Sequence, residues 1–246
     1  MTHPLHRRRP GPSEGGRSRF RGVLLAALLG LPILVAGAPR AGAQMMLYED
    51  RLPDGYAYVR FANASPDRLD LKPVGFADPM SLGTTGQERV SPYYVVEGVA
   101  GRKVEVKVEG AKPLEIELKP AGIHTVLIDK ADGRLGTRVV LDQSELSQTK
   151  ARLAFYNAMP SCAAAGLYLE PKGQPVVVDV GPSIMRGRSV NPAPNPRMRA
   201  ACGTTRVAEL DLGPLDAGGQ YSVWLIAPGG TPNAFLSKNR IAPYLR

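Results

Sequence analysis

Two stretches of this sequence say nearly the same thing: YVRFANA, from Tyr58 to Ala64, and RLAFYNA, from Arg152 to Ala158. Aligning Val59, Phe61, Asn63 and Ala64 with Leu153, Phe155, Asn157 and Ala158 gives an offset of 94 positions. Period-two alternation puts the apolar members of each stretch on one face of a strand. The Asn near the end of each strand carries the acceptor that starts an Asx-type turn, so Asn63 and Asn157 read as structural. A second pair repeats in step with the first: LKPAGIHTVLI ends at Ile128 and LGPLDAGGQYSVWLI ends at Ile226. In each, Pro and Gly mark a turn, and a strand then begins with a ring (His124 or Tyr221), a small hydroxyl residue and Val. One small folding unit written twice accounts for both matches.

Short β-rich runs broken by Gly and Pro every 8 to 12 residues or so place the chain in the all-β class, as two tandem small antiparallel β-sandwich domains. The first domain spans residues 44–141, with strands near Tyr56 to Asn63, Arg68 to Val74, Val90 to Val96, Arg102 to Glu109, Leu114 to Leu118 and Ile123 to Asp129. RLGTRVVLDQ adds a further strand. Residues 142–150 form a linker with room for one helical turn capped by Asp142 or Ser144. The second domain spans 151–246. Within it, residues 181–206 hold four prolines, five arginines and no acid, and read as a long loop.

The first 43 residues look like an address. Six arginines between Arg7 and Arg21 precede an apolar run from Val23 to Ala38, and AGA at Ala41 to Ala43 offers small residues for cleavage before Gln44. The apolar run contains Pro32 and falls short of the roughly 20 residues needed to span a bilayer. A cleaved signal peptide and a periplasmic chain that does not span the membrane are therefore expected. The whole chain has 31 basic and 22 acidic residues, but seven and one of these lie in the leader, leaving 24 against 21. A net charge of +3 gives little reason to expect a nucleic-acid partner.

Cys162 and Cys202, an even count in an exported chain, read first as a disulfide, with a pair of free thiols as the alternative. A zinc site lacks nearby His or Cys partners, and no cofactor motif is present.

Catalysis by acid–base or nucleophilic chemistry usually needs a base that titrates near neutrality. After the leader only His124 qualifies. The repeat places it opposite Tyr221, on the strand face of Val126 and Ile128, as a packed ring. No GxSxG occurs, and GPS at Gly181 to Ser183 has no second His to serve it. Glu49 with Asp50 reads as solvated, and DKADG at Asp129 to Gly133 as a turn. No catalytic residue is assigned.

Two surfaces are better candidates for binding a partner or an acidic polysaccharide. Tyr56, Tyr58 and Arg60 project to one side of the first strand, opposite Ala57, Val59 and Phe61; burial under a neighbouring strand or the other domain is the alternative. Arg186, Arg188, Arg197 and Arg199, in the Pro-rich segment, could hold carboxylates. Trp224 projects with Ser222 and Ile226, and a rival reading makes it a stacking platform for sugar on an outer face.

LYEDRLPDGYAYVRFANA, Leu47 to Ala64, resembles the alginate biosynthesis protein AlgF family in its Leu-Tyr just after the leader, then Pro, Gly, an aromatic, Val-Arg and Asn-Ala. The close match covers that stretch, with looser agreement in domain order and length. The resemblance implies a periplasmic, non-catalytic accessory of exopolysaccharide O-acetylation, acting with a membrane-bound O-acyltransferase and a periplasmic acetyltransferase. Cys162, Cys202 and the arginine-rich segment lie outside the family pattern, so the second domain could have its own partner. The same acetylation cassette serves other polymers, cellulose among them, so the polymer implied is alginate or a similar exopolysaccharide.

Overall fold

The computed structural model describes residues 55–76, 78–98 and 102–243. The expected leader 1–43, the Glu49–Asp50 pair and the first part of the stretch that resembles AlgF lie outside the described residues.

The chain is two tandem β-sandwiches. In the first, β1 (Tyr56–Asn63), β4 (Tyr94–Glu97), β7 (Ile123–Ala131) and β8 (Arg134–Leu141) form a sheet in the order β4-β1-β7-β8. It is faced by β2 (Leu69–Pro73), β3 (Met80–Leu82), β5 (Lys103–Val108) and β6 (Leu114–Glu117) in the order β3-β2-β5-β6. The second begins with β9 (Ala151–Asn157), β10 (Ala165–Leu169), β11 (Gln174–Val180) and β12 (Ile184–Val190). It continues with β13 (Arg197–Cys202), β14 (Thr205–Asp211), β15 (Gln220–Ile226) and β16 (Asn233–Lys238). Its sheets run β12-β9-β15-β16 and β11-β10-β13-β14. Counted from its own first strand, the second copy repeats the strand order of the first in both sheets. The sequence repeat is thus a repeat of topology.

The equivalence reaches single residues. Val59 pairs with His124 in the first copy and Leu153 with Tyr221 in the second, so the two rings occupy one position. These two pairings run parallel, an exception to the antiparallel expectation, because a crossover through the facing sheet separates the strands. Each ring lies over the glycine two residues before it. A Cβ on Gly122 would come within 2.4 Å of the His124 ring, and one on Gly219 within 2.4 Å of the Tyr221 ring. Each ring's polar atom also accepts a backbone N–H five residues back: Lys119 to His124 Nε2 at 3.1 Å, Asp216 to the Tyr221 hydroxyl at 3.0 Å. The asparagines match as well. Asn63 Oδ1 accepts the Ser65 N–H at 2.8 Å and Asn157 Oδ1 that of Met159 at 3.2 Å, while both amide nitrogens donate to two backbone carbonyls.

Each sandwich has its own core. Ala57, Val59, Phe61, Leu71, Val106, Val126 and Ile128 anchor the first, and Leu153, Phe155, Leu167, Ala200, Val223 and Leu225 the second. Cys162 and Cys202 form a disulfide with Cα atoms 5.6 Å apart, tying the approach to β10 to the end of β13.

Two expectations are corrected. Residues 181–206 contain β12, β13 and the start of β14. Ile184 to Val190 pair with Asn157 to Ala151 through the whole length of β9. Three of the four prolines fall between Val190 and Arg197, where the chain passes from one sheet to the other and is held by an isolated antiparallel bridge between Ala193 and Leu215. The linker has no helical turn: the Asp142 N–H bonds the Ile123 carbonyl, and its side chain turns inward.

Candidate functional site at the seam between the sandwiches

The sheet containing β1 and β7 packs its second face against the sheet containing β9 and β15. Ala62, Leu127 and Val140 from one side meet Tyr156, Met185, Trp224, Ile226 and Phe235 from the other in a third apolar cluster. The Tyr156 and Trp224 rings stack with centroids 4.1 Å apart, and Phe235 lies 6.1 Å beyond. The C-terminal strap adds to the joint. Tyr93 N–H donates to the Arg240 carbonyl at 2.8 Å, and the Ala242 N–H returns to the Tyr93 carbonyl at 2.8 Å.

Arg60 sits inside this seam, 1% exposed. Its Nε donates to Thr125 Oγ1 at 2.8 Å, its Nη1 to Asn239 Oδ1 at 2.9 Å, and its Nη2 to the hydroxyls of Tyr156 at 2.7 Å and Ser222 at 3.2 Å. The guanidinium also lies over the rings of Tyr93, Trp224 and Tyr156, at 4.4, 4.9 and 5.1 Å. Asp142 closes the network. It accepts the Thr125 hydroxyl at 2.6 Å, that of Tyr93 at 2.7 Å and that of Tyr156 at 2.9 Å. A buried charge is tolerated when its hydrogen-bonding capacity is filled in this way.

Burial governs the titration of these groups. It pushes Asp142 upward, against the pull of Arg60 and the hydroxyl donors, and pushes Tyr93 and Tyr156 upward as well. For Arg60, burial acts downward, but the surrounding groups outweigh it and the guanidinium stays charged. His124 belongs to another place, the core face of β7, where burial lowers its pKa.

A second polar bridge crosses the seam from Arg138. It pairs with Asp129 at 2.7 Å in its own sandwich and donates to Ser183 Oγ at 2.7 Å and the Ala158 carbonyl at 3.0 Å in the other. Ser183, of the GPS stretch, is therefore a seam contact, held in the left-handed backbone region at φ 58°.

The predicted surface residues separate. Tyr56 and Tyr58 are half-buried on the seam side of β1 and are engaged with their surroundings. Arg60, 1% exposed, and Trp224, 0% exposed, are sealed from solvent: Arg60 takes the alternative of burial against the other domain, which corrects its reading as a binding residue, and Trp224 is not an outward stacking platform. Arg186 and Arg188 lie exposed on β12, their Nη1 atoms 3.4 Å from the Val178 carbonyl and 2.9 Å from that of Val176 on the neighbouring edge strand. Arg197 pairs with Glu209 at 3.1 Å, and Arg199 with Glu170 at 2.7 Å while stacking over Tyr168. The four arginines thus split between two sheets. Those on β13 already have carboxylates, and those on β12 have none among the described residues.

Asp142, Tyr156, Thr125, Ser222 and Tyr93 were missed by sequence reasoning. A signal for them exists in QYSVWLI, which is apolar on both faces of its strand. A strand with no wet face is covered on both sides.

Compared with known proteins, the chain matches no family model and no curated protein.

Proposed function

We propose that this chain is an exported, non-catalytic accessory of exopolysaccharide O-acetylation. It acts as a platform that brings a membrane-bound O-acyltransferase and a periplasmic acetyltransferase to their polymer. The observation that carries this is the seam. The most densely polar buried cluster among the described residues is closed on itself, with Arg60 and Asp142 bonded to hydroxyls and an amide that fix one sandwich on the other. Such an arrangement holds surfaces in fixed relation, with four of the five guanidinium N–H groups of Arg60 and both carboxylate oxygens of Asp142 engaged within the chain. His124, the one histidine of the described residues, is likewise held by a backbone donor in a position that the second copy fills with Tyr. The motif around Leu47 to Ala64 supplies the biological setting, and the exposed Arg186 and Arg188 supply charge for an acidic polymer or partner.

A polysaccharide-binding module with no role in acetylation is the second reading. Arg186 and Arg188 suit it, whereas Arg60 and Trp224 are withdrawn from it by burial.

The test is the acetyl content per sugar of secreted polysaccharide, by proton NMR, from the native strain with and without this gene. Acetyl is expected to fall at unchanged polymer yield; unchanged acetyl overturns the proposal.

A further inference from the structure

The two copies finish one sheet edge differently. In the first, the C-terminal strap adds to the open side of the sheet at the start of β4. Ile241 pairs there in parallel with Tyr93, whose N–H donates to the Arg240 carbonyl and whose carbonyl accepts the Ala242 N–H. The counterpart edge in the second copy is β12. Val59 pairs with Tyr94 and its counterpart Leu153 with Arg188, so Tyr93 and Gly187 hold matching places.

The ladder leaves Gly187 open. On β9 the Arg152 and Ala158 N–H groups point to β15, at the Gly219 and Leu225 carbonyls. Alternation then turns Leu153 and Phe155 toward Arg188 and Arg186, and leaves the N–H and carbonyl of Gly187 on the outer side of β12. Neither group has a backbone partner among the described residues. Other edges are answered within the chain: the Val176 and Val178 carbonyls of β11 by Arg188 and Arg186, and the Lys238 N–H of β16 by Gln87. Ile184, Arg186 and Arg188 project together from β12, away from the seam, and all three are exposed. Each arginine gives one N–H to β11, and neither has a carboxylate partner among the described residues; Asp179, exposed on β11, pairs with neither. Lys150, bonded to Asn191 just past the end of β12, adds a third cation.

We propose that β12 accepts an extended acidic segment of a partner protein, added in parallel as the strap is added to β4. Gly187 is the backbone anchor. Two acidic residues at alternate positions flank it, the first lending its carbonyl to the Gly187 N–H and the second its N–H to the Gly187 carbonyl, and their carboxylates lie on Arg186 and Arg188. An apolar residue preceding them covers Ile184. In such additions main-chain bonds supply affinity and alternate side chains supply selectivity. An acidic polysaccharide meets the arginines by charge but brings no amide ladder to Gly187. The proposal rests on the reading of the chain as a platform and names the kind of partner segment that one of its edges holds.

The experiment uses the full exported chain, labelled with nitrogen-15, and the peptide acetyl-Thr-Val-Thr-Glu-Thr-Glu-Thr-amide. Its controls are the same peptide with Lys for both Glu, the Glu peptide with both Glu amides N-methylated, and sodium alginate. The Glu peptide is expected to shift the Gly187 amide resonance, to slow its hydrogen exchange, and to bind roughly tenfold more tightly than either control peptide. Arg186→Glu with Arg188→Glu is expected to reverse the preference toward the Lys peptide. Arg186→Gln with Arg188→Gln, which keeps donors for the β11 carbonyls, is expected to abolish the preference, with the tryptophan melt checking that each variant is folded. Equal binding of the Glu and Lys peptides, equal binding of the N-methylated peptide, an unmoved Gly187 resonance, or no peptide binding overturns the site. A Glu peptide that fails where alginate binds assigns the arginines to polymer and overturns it too. Failure here is separable from failure of the platform role. If deleting the gene lowers polymer acetylation but the Glu peptide does not bind, the edge is wrong and the platform stands. If the peptide binds at Gly187 but deletion leaves acetylation unchanged, the reverse holds.

Discussion

Arg60 and Asp142 meet through two shared hydroxyls. Thr125 and Tyr156 each accept from the guanidinium, at 2.8 and 2.7 Å, and each donate to the carboxylate, at 2.6 and 2.9 Å. The two charges belong to one sandwich and to the segment leaving it, while Tyr156 belongs to the other, so the relay is also a joint.

Arg60→Met leaves Asp142 buried without its counter-charge. We expect a loss of about 3–5 kcal/mol in unfolding free energy, measured by urea denaturation. Asp142→Asn should cost less at neutral pH. Burial raises the Asp142 pKa above its ordinary 3.8, so its contribution to stability is fully present below 3.8 and is lost as pH rises through the folded value. The cost of Asp142→Asn should accordingly be larger in acid than at neutrality.

Trp224 is the only tryptophan of the chain and lies in the seam. Its emission therefore reports the joint, whereas far-UV circular dichroism reports both sandwiches. The two transitions should coincide in wild type, as they do for one cooperative unit. Tyr156→Ala removes the stacked partner and should cost about 3–5 kcal/mol, with the fluorescence transition moving ahead of the dichroism one.

His124 has its pKa lowered from 6.5, first by burial. A base that is harder to protonate in the folded state contributes stability above 6.5 that is lost as pH falls through the folded value. Wild-type stability should decline on acidification from 6.5, and His124→Tyr, which installs the ring of the equivalent position, should flatten that limb. Thermal melts across the range check this. Polymer acetylation should survive the substitution.

Cys162→Ser with Cys202→Ser opens a closed loop of 40 residues. On the chain-entropy estimate this costs about 4 kcal/mol. The loss should fall on the second sandwich, seen as faster proteolysis within residues 163–202 than in the first sandwich.

The parts that were legible in the sequence are those where a local rule is also the global one. Asn63 and Asn157 predict their turns because an Asx turn is made within a few residues. Cys162 and Cys202 predict their bridge because few alternatives exist. His124 was placed through its counterpart Tyr221, since a repeat transfers position without any long-range knowledge. Arg60 was harder. Its charge argues for solvent, and its burial is made tolerable by Thr125, Asp142, Tyr156, Ser222 and Asn239, at separations of 65 to 179 residues. Residues 181–206 misled for a different reason: proline content averaged over the segment conceals that three of the prolines are confined to one sheet-to-sheet passage, leaving MRGRSV free to pair with β9. β5 was read correctly because VEVKVEG alternates charge with Val, as a strand of an outer sheet does.

The faces that meet at the seam are counterparts, as in a symmetric homodimer, yet they have ceased to be alike. Arg60 corresponds to Ala154, Ala62 to Tyr156 and Leu127 to Trp224, so a bulky group on one side is answered by a smaller residue at the matching place on the other. A symmetric dimer cannot do this, because one sequence must serve both halves. Covalent tandem linkage lifts that restriction. It also makes the union of the halves independent of dilution, since each always finds its mate at the end of a nine-residue tether rather than in bulk. The halves keep their pairing at any dilution, and their lopsided faces discourage exchange of halves with a neighbour.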